Sequence, residues 1–99
     1  MKVVLSRAAH ADIAAIGDFI ANDNPPRAAT FVDELKQHCL KIGLAPYAHP
    51  VVRQRGKRSI RRAVHGSYLI LYETAQGAVR IVRVIHGARD WERLLFPPE

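Results

Sequence analysis

A chain of 99 residues, of which 48% are hydrophobic, can build one domain around one modest core, which excludes a large active-site cleft between domains. Fifteen lysines and arginines against nine acidic residues give a formal net charge of +6, which favours a polyanionic partner such as nucleic acid, a nucleoprotein or an acidic protein. No apolar run approaches the roughly 20 residues of a membrane helix, and no secretory signal is evident, so we expect one cytoplasmic domain over residues 1–99.

The N-terminal part of the chain predicts a short strand and a first helix. Lys2–Leu5 is rich in β-branched residues and is typical of a strand, and Ser6 is a candidate N-cap for a helix of about Arg7–Ala21. The apolar residues of this segment recur at helical spacing, which gives the helix one apolar stripe. Asp12 and Asp18 lie off that stripe, so we expect both carboxylates to face solvent.

A second helix follows the first almost at once. Asn24 is a candidate N-cap, and Pro25 suits the first helical turn, where its missing N–H is not needed. The apolar stripe of this helix consists of Ala28, Phe31, Val32, Leu35, Cys39 and Ile42. The helix is expected to end near Gly43–Pro46, and the short connection forces the two helices into an antiparallel hairpin. Because free cysteine packs like a small apolar residue, we expect Cys39 to be a buried structural thiol.

The C-terminal half predicts a meander of strands. Tyr47–Lys57 has no period and is expected to be a loop, with a brief extended piece at Val51-Val52. Three strand-like runs follow, at Ser59–Val64, Tyr68–Thr74 and Ala78–His86, joined by connections short enough for hairpins. Asp90 can cap a final turn that carries Trp91, Leu94 and Leu95. The predicted order is β-α-α-β-β-β, an α+β fold in which a helical hairpin packs on an antiparallel sheet.

One group of cations leads into the first strand of the meander. It comprises Arg53, Arg55, Lys57, Arg58, Arg61 and Arg62. Such a run can bind a phosphate backbone, although a solvated loop is an equal alternative for each residue. Arg61 and Arg62 must point to opposite faces of the sheet, so at least one can lie beside the core. A partly buried arginine needs an anionic partner, and an acidic neighbour is the ordinary one.

A second group of cations lies near the end of the chain and comprises Arg80, Arg83, His86 and Arg89. Arg83 is two residues from both Ile81 and Ile85, so we expect it to share their face, where it could emerge next to Arg61 on a neighbouring strand. With His86 added, the group would suit metal-independent RNA cleavage, which needs a base, an acid and cations for the phosphorane charge. A hydrogen-bonded structural role is the alternative for this histidine. No Cys/His spacing suits zinc, and neither a metal nor a cofactor is expected.

A series of positions spread over nearly the whole chain has a fairly specific order and spacing. In the helical hairpin these positions are Ala9, Asp12-Ile13, Ile16, Phe19-Ile20, Asn24-Pro25, Ala29, Phe31 and Leu35. In the sheet they are Ile60-Arg61, Tyr68–Tyr72, Ile81 and Arg83–Asp90. Together they resemble the ParE/RelE superfamily of toxins from type II toxin-antitoxin systems. The fold that this resemblance implies, a helical hairpin on an antiparallel sheet, agrees with the prediction from pattern.

The resemblance implies one of two activities. RelE-like members cleave mRNA on the ribosome through basic residues and often a His or Tyr in a C-terminal segment. The residues here that would match such a catalytic set are Arg61, Arg83, His86 and Arg89. ParE-like members poison DNA gyrase and have no catalytic residues of their own. Because the tail after Arg89 contains neither Tyr nor His, the resemblance favours a ParE-like inhibitor of DNA gyrase over a RelE-like ribonuclease.

Either activity implies a cognate antitoxin, whose extended or helical acidic tail would cover the toxin. We expect the antitoxin to contact Phe19, Phe31, Leu35 and Arg83. The residues expected to contact the target or nucleic acid are Arg55, Lys57, Arg58, Arg61, Arg62 and Arg89. A non-toxic binding module that only forms a repressor complex with its partner is a third alternative.

Overall fold

The computed structural model describes residues 1–87 and 89–97. Its elements in chain order are β1 (Lys2–Leu5), α1 (Arg7–Ala21), α2 (Pro25–Ile42), β2 (Val51–Arg55), β3 (Arg58–His65), β4 (Tyr68–Ala75), β5 (Ala78–His86) and α3 (Trp91–Leu95). The α+β class and the order of the predicted elements are confirmed. Ala88, part of the segment that carries the resemblance, lies outside the described residues.

The strands form one five-stranded sheet in the order β1-β5-β4-β3-β2. Pairing is antiparallel between β2 and β3, β3 and β4, and β4 and β5. At the other edge β1 runs parallel to β5, with Val3 opposite Val79. The sheet is therefore mixed rather than wholly antiparallel, because the helical hairpin and the meander separate β1 from β5 and return the chain in the same direction.

The extended piece predicted at Val51-Val52 is the start of a longer edge strand, β2, which occupies part of the predicted loop and forms a hairpin with β3 around Gly56. Four of its five residues are exposed, so the segment lacks the alternation of apolar and polar residues that marks a half-buried strand. Gly56 has a φ of +60°, which glycine adopts without steric cost. Strand pairing rather than burial thus accounts for this element.

Side-chain caps begin both long helices as predicted. The Ser6 hydroxyl accepts a hydrogen bond from the N–H of Ala9 at 3.0 Å, and the Asn24 side chain accepts one from Arg27 N–H at 3.2 Å. Such a cap contributes about 1 kcal/mol by satisfying a helix N–H that has no partner within the helix. The predicted bounds of α1 are confirmed to the residue.

The two helices pack on one face of the sheet, here called the inner face. The buried residues of this main core are Ala9, Ile13, Ile16, Leu35, Cys39, Ile42, Ala63, Ile70, Tyr72, Val79, Ile81 and Val84. Cys39 is fully buried, as predicted, and burial raises the pKa of its thiol to about 11. Cys39 is therefore a protonated packing residue rather than a reactive thiolate.

A second, smaller core covers the opposite face, here called the outer face. Its buried residues are Ile60, Leu71, Val82 and Ile85, and α3 covers them with Trp91, Leu95 and Phe96. Asp90 accepts a hydrogen bond from Arg93 N–H at 3.4 Å and caps α3, as predicted. The short C-terminal helix thus closes the side of the sheet that the helical hairpin leaves open.

A β-bulge in β5 changes which residues share a face. Tyr72 pairs with Ile81, but its neighbour Leu71 pairs with Arg83, so β5 contains one extra residue at this point. Ile81 consequently belongs to the inner core and Ile85 to the outer core. The prediction that Arg83 shares one face with both isoleucines is wrong, because it assumed an unbroken alternation.

The start of β1 is fixed to the end of α2. The Met1 amino group donates a hydrogen bond to the Gly43 carbonyl at 2.8 Å. A Cβ atom at Gly43 would lie 2.8 Å from Val3 Cγ2 and closer still to the Met1 carbonyl oxygen, so glycine is what permits this approach.

Among the described residues, no helix is both long and apolar enough to cross a membrane.

Candidate functional site

Arg83 forms a two-pronged ion pair with Asp12 that joins β5 to α1. Its Nε donates to Oδ2 at 2.7 Å and its Nη2 donates to Oδ1 at 2.8 Å. The same carboxylate accepts the Val84 N–H at 2.9 Å. The two side chains are 21% and 11% exposed, and the hydrogen bond that Arg83 donates to Asp12 raises the pKa of Arg83. The expectation that Asp12 faces solvent is wrong, because its position beside the apolar stripe places it over β5.

Arg61 holds the loop between α2 and β2. Its Nη1 donates to the carbonyl oxygens of His49 at 2.6 Å and Tyr47 at 3.3 Å, and its guanidinium lies 5.3 Å from the centre of the Tyr47 ring. Nearby, the Tyr72 hydroxyl donates to the Pro46 carbonyl at 2.8 Å and lies 3.1 Å from His49 Nδ1. The predicted acidic partner of this arginine is thus replaced by backbone carbonyl groups.

The residues of the ribonuclease hypothesis do not form one cluster. Arg61 is on β3 and Arg83 is on β5, and β4 lies between these strands, so the predicted juxtaposition is wrong. His86 packs edge-on against the Tyr68 ring at 5.6 Å. It lines a small groove of about 170 Å³ together with Arg89 and Asp12. Arg61 therefore lies at the end of the sheet next to the loop that it holds. Arg83, His86 and Arg89 lie beside α1.

Alternation along the strands collects cations on the outer face. Val3 and Leu5 pack in the inner core, so Lys2 points outward. By the same rule, the register around Ile60 and Val82 of the outer core directs further arginines outward. The outer-face cations are Lys2, Arg53, Arg55, Arg58, Arg62 and Arg80. Within the described strands, Glu73 is the one acidic residue, and it also lies on this face.

Glu73 lies between two of the outer-face cations. Arg58 Nε is 2.9 Å from its Oε2, and Arg80 Nη1 is 3.4 Å from its Oε1. Glu73 itself is buried, whereas the arginine side chains are 45% and 52% exposed. The carboxylate thus orients two guanidinium groups that still face solvent.

Three of the outer-face cations also surround the aromatic ring of Phe96. The guanidinium carbons of Arg53, Arg55 and Arg58 lie 5.3, 5.6 and 5.6 Å from the ring centre. Arg53 in addition pairs with Glu92 of α3 at 3.4 Å. The cationic run predicted as a binding segment therefore also fixes the C-terminal helix. Lys57 lies at the exposed turn of the β2–β3 hairpin.

A groove of about 360 Å³ opens at the edge of the outer face. Its walls include Arg7 in the first turn of α1, Arg58, Arg80 and Leu94. Lys2, Arg7 and Arg80 were not among the predicted contact residues, although alternation in β1 and β5 is the signal that places Lys2 and Arg80 outward.

The predicted antitoxin-contact residues differ in accessibility. Phe19 is 70% exposed near the end of α1. Phe31 is half-buried on α2, where its ring lies 5.3 Å from the His65 ring and 5.7 Å from the Tyr68 ring. Leu35 is fully buried in the inner core, so its side chain supports packing and offers no surface for a partner.

Two histidines meet between α2 and β3, a contact that the sequence analysis missed. His38 Nδ1 lies 2.9 Å from His65 Nδ1, so one ring must donate a proton and the other must accept it. Burial lowers the pKa of His38, and the neighbouring His65 lowers it further. The pair borders an open pocket of about 530 Å³.

Over residues 1–87 and 89–97, no group of three or more His, Cys, Asp or Glu side chains is arranged to hold a metal ion.

Among the matches to known proteins, a family model and a solved structure each concern most of the chain. A family model described as the ParE toxin of the type II toxin-antitoxin system parDE matches residues 3–91. A solved structure, the chromosomal ParDE toxin-antitoxin system from P. aeruginosa, is similar with a TM-score of 0.72 and 16% sequence identity. That match covers 87% of this chain and 95% of the other, and at this identity the likeness concerns the fold alone. No curated protein matches the chain.

Proposed function

We infer the activity from the premise that this chain belongs to the ParE toxin family of type II toxin-antitoxin systems. On that premise, we propose that it inhibits DNA gyrase by binding the enzyme while its DNA is cleaved. Such an inhibitor must bind the cleaved state more tightly than the resealed state, because only a difference in affinity shifts the population toward broken DNA. The toxin then needs no catalytic residues of its own.

The ion pair between Arg83 and Asp12 is the observation that favours DNA gyrase over mRNA as the target. Cleavage of RNA without a metal requires cations that can stabilise charge on the phosphorane. The Arg83 guanidinium is already neutralised by Asp12, with contacts of 2.7 and 2.8 Å. Arg61 donates to loop carbonyls and lies two strands away from Arg83 in the sheet. This arrangement supports an inhibitor over a RelE-like ribonuclease.

A cognate antitoxin is the second part of the proposal. The net charge of +6 favours a partner with acidic residues, and the exposed ring of Phe19 offers an apolar anchor for it. We assign the antitoxin contact to Phe19 and Phe31 of the helical hairpin. The antitoxin would neutralise the toxin by occupying this surface and so excluding gyrase.

A supercoiling assay tests the proposed target. Purified toxin added to gyrase, relaxed plasmid and ATP should reduce supercoiling and, after the enzyme is denatured and digested, should yield linear plasmid. Pre-incubation with the antitoxin should restore supercoiling. Normal supercoiling without linear DNA, at a large molar excess of folded toxin, would show that gyrase is not the target.

The ribonuclease alternative is tested in a translation reaction with defined mRNA. We expect intact transcripts in the presence of the toxin. Cleavage that requires ribosomes and disappears in Arg61→Ala would establish the alternative instead. Lys36→Ala is the control, because it removes the same charge from an exposed position of α2 without touching the loop contacts of Arg61.

A further inference from the structure

We propose that the outer face of the sheet binds the phosphate backbone of duplex DNA directly, without gyrase. Six strand residues on this face are cationic, and Glu73 is the one acidic residue among the described strands. The inference does not rest on gyrase inhibition, because it concerns an affinity of the isolated toxin.

The dimensions of the face suit a duplex. Five strands at about 4.8 Å spacing place the edge strands about 19 Å apart, and B-form DNA carries one phosphate charge per about 1.7 Å of its axis. Cations occur on four of the five strands, β1, β2, β3 and β5, and β4 between them contributes Glu73, which pairs with Arg80 of β5. The positive charge therefore extends across the width of the sheet rather than lying at a single point.

The groove at the edge of this face supplies the most defined phosphate position. Arg58 and Arg80 are oriented by Glu73 at 2.9 and 3.4 Å, yet both side chains remain about half exposed. Arg7 lines the same groove from the first turn of α1. Arg58 and Arg80 share one carboxylate, and with Arg7 in the same groove the positive charge is in surplus. Arginine presents several N–H donors in a planar fork that fits phosphate oxygens.

The surface chemistry favours nucleic acid over a protein partner. The apolar centre of the outer face is already covered by Trp91, Leu95 and Phe96. Protein interfaces have an apolar or aromatic centre with few charges, whereas DNA interfaces are more polar and much more positive. The most exposed large apolar residues, Phe19 at 70% and Leu44 at 86%, belong to the helical side of the molecule.

Fluorescence anisotropy with a labelled duplex of arbitrary sequence tests the inference. We expect binding at low salt, with an affinity that falls steeply as salt rises because condensed counterions are released. Arg62→Gln combined with Arg80→Gln should weaken binding about tenfold or more and reduce the salt slope by about two, one for each lost phosphate contact. Arg80 is replaced rather than Arg58, because Arg58 lies closer to Glu73 and then remains as the partner of this buried carboxylate.

The matched control is Lys36→Gln combined with Lys41→Gln, which removes the same charge from α2 on the other side of the sheet. It should leave DNA affinity nearly unchanged. Melting curves establish that each variant is folded. If the variant with Arg62→Gln and Arg80→Gln is unfolded, Arg7→Gln combined with Arg62→Gln replaces it, because this pair leaves both ion pairs of Glu73 in place.

Three results would overturn the inference. They are absence of duplex binding at low salt, an equal loss of affinity in the α2 control, and tighter binding to duplex RNA or to an acidic peptide than to duplex DNA. Failure here is distinguishable from failure of the proposed function. A toxin that inhibits supercoiling but does not bind DNA overturns this inference alone, and one that binds DNA but leaves gyrase active overturns the proposed function alone.

Discussion

At the scale of single residues, the contact between Asp12 and Arg83 combines structural and functional consequences. The carboxylate accepts two hydrogen bonds from the guanidinium and one from the Val84 backbone, so it connects α1 to β5 at three points. Charge-assisted hydrogen bonds of this two-pronged kind are among the strongest in proteins. The pair thus stabilises the packing of α1 on the sheet and also removes a cation from any chemistry on RNA.

We expect Asp12→Ala to lower the free energy of unfolding by about 2–4 kcal/mol, measured by urea denaturation, because it leaves a largely buried guanidinium and a backbone N–H without their acceptor. Asp18→Ala, on the exposed side of the same helix, should change it by less than about 0.5 kcal/mol.

A double-mutant cycle isolates the pair. In the Asp12→Ala background, Arg83→Leu should restore part of the lost stability, since an apolar side chain needs no partner there. Equal losses for the Asp12 and Asp18 variants, or strict additivity in the cycle, would contradict a stabilising ion pair.

At the scale of elements, the sequence predicts those parts whose local signals agree with the tertiary environment. The capping side chains of Ser6 and Asn24 and the strong helical period define α1 and the start of α2. The bounds of β5, Ala78–His86, follow in the same way from its apolar residues and flanking turns. Where the residues of an element mark both its period and its ends, the local sequence is enough to predict it.

The misassigned features depend on contacts that no local pattern encodes. The bulge at Val82 interrupts alternation, so counting by twos put Ile81, Arg83 and Ile85 on one face, although Ile81 belongs to the inner core and Ile85 to the outer core. β2 exists because it pairs with β3, not because it buries a face. The partner of Arg83 is 71 residues away in sequence, and that of His38 is 27 residues away. Sites formed by residues so far apart in sequence can be located only once the fold is known.

We expect the contact of His38 on α2 with His65 on β3 to make the stability of the fold depend on pH. Burial and His65 lower the pKa of His38 below its usual value of 6.5, so the unfolded chain takes up a proton there that the folded chain resists. The contribution of His38 to the free energy of unfolding is present in full above pH 6.5. It decreases as the pH falls through that value toward the lower pKa of His38 in the folded chain. Also facing the pair are Glu34, Asp33 and Lys41.

Urea denaturation at about pH 7.5 and pH 5.5 measures this dependence. We expect His38→Gln to reduce the loss of stability between the two values, because glutamine does not titrate. His10→Gln, on the exposed side of α1, should retain the loss seen in the natural chain. An unchanged pH dependence in His38→Gln would show that the histidine contact does not control acid stability.

At the scale of the whole molecule, the sheet separates two surfaces of different chemistry. The helical side presents large exposed apolar residues, including Phe19, Leu40 and Leu44. The outer side presents the outer-face cations around the apolar centre that α3 covers. If the toxin binds the antitoxin on the helical side and DNA on the outer side, as we propose, then neutralisation need not compete with DNA for the same residues.

This separation makes a prediction about the antitoxin. Phe19→Ala should weaken antitoxin binding by about 1–3 kcal/mol, or about five- to 150-fold in Kd by calorimetry, because an aromatic anchor loses its apolar contact. Since Phe19 is 70% exposed, the melting temperature should hardly change. Val64→Ala, at a 57% exposed apolar position of β3, is the control and should leave the Kd unaltered.

The two surfaces should also respond independently. Phe19→Ala should preserve the affinity for duplex DNA, and the combined Arg62→Gln and Arg80→Gln variant should preserve the affinity for the antitoxin at physiological salt, where charges more than about 8 Å apart are largely screened. If Phe19→Ala weakens both ligands alike, or the arginine variant does, then antitoxin and DNA share one surface, and the antitoxin would act by displacing DNA rather than by occupying the helical side.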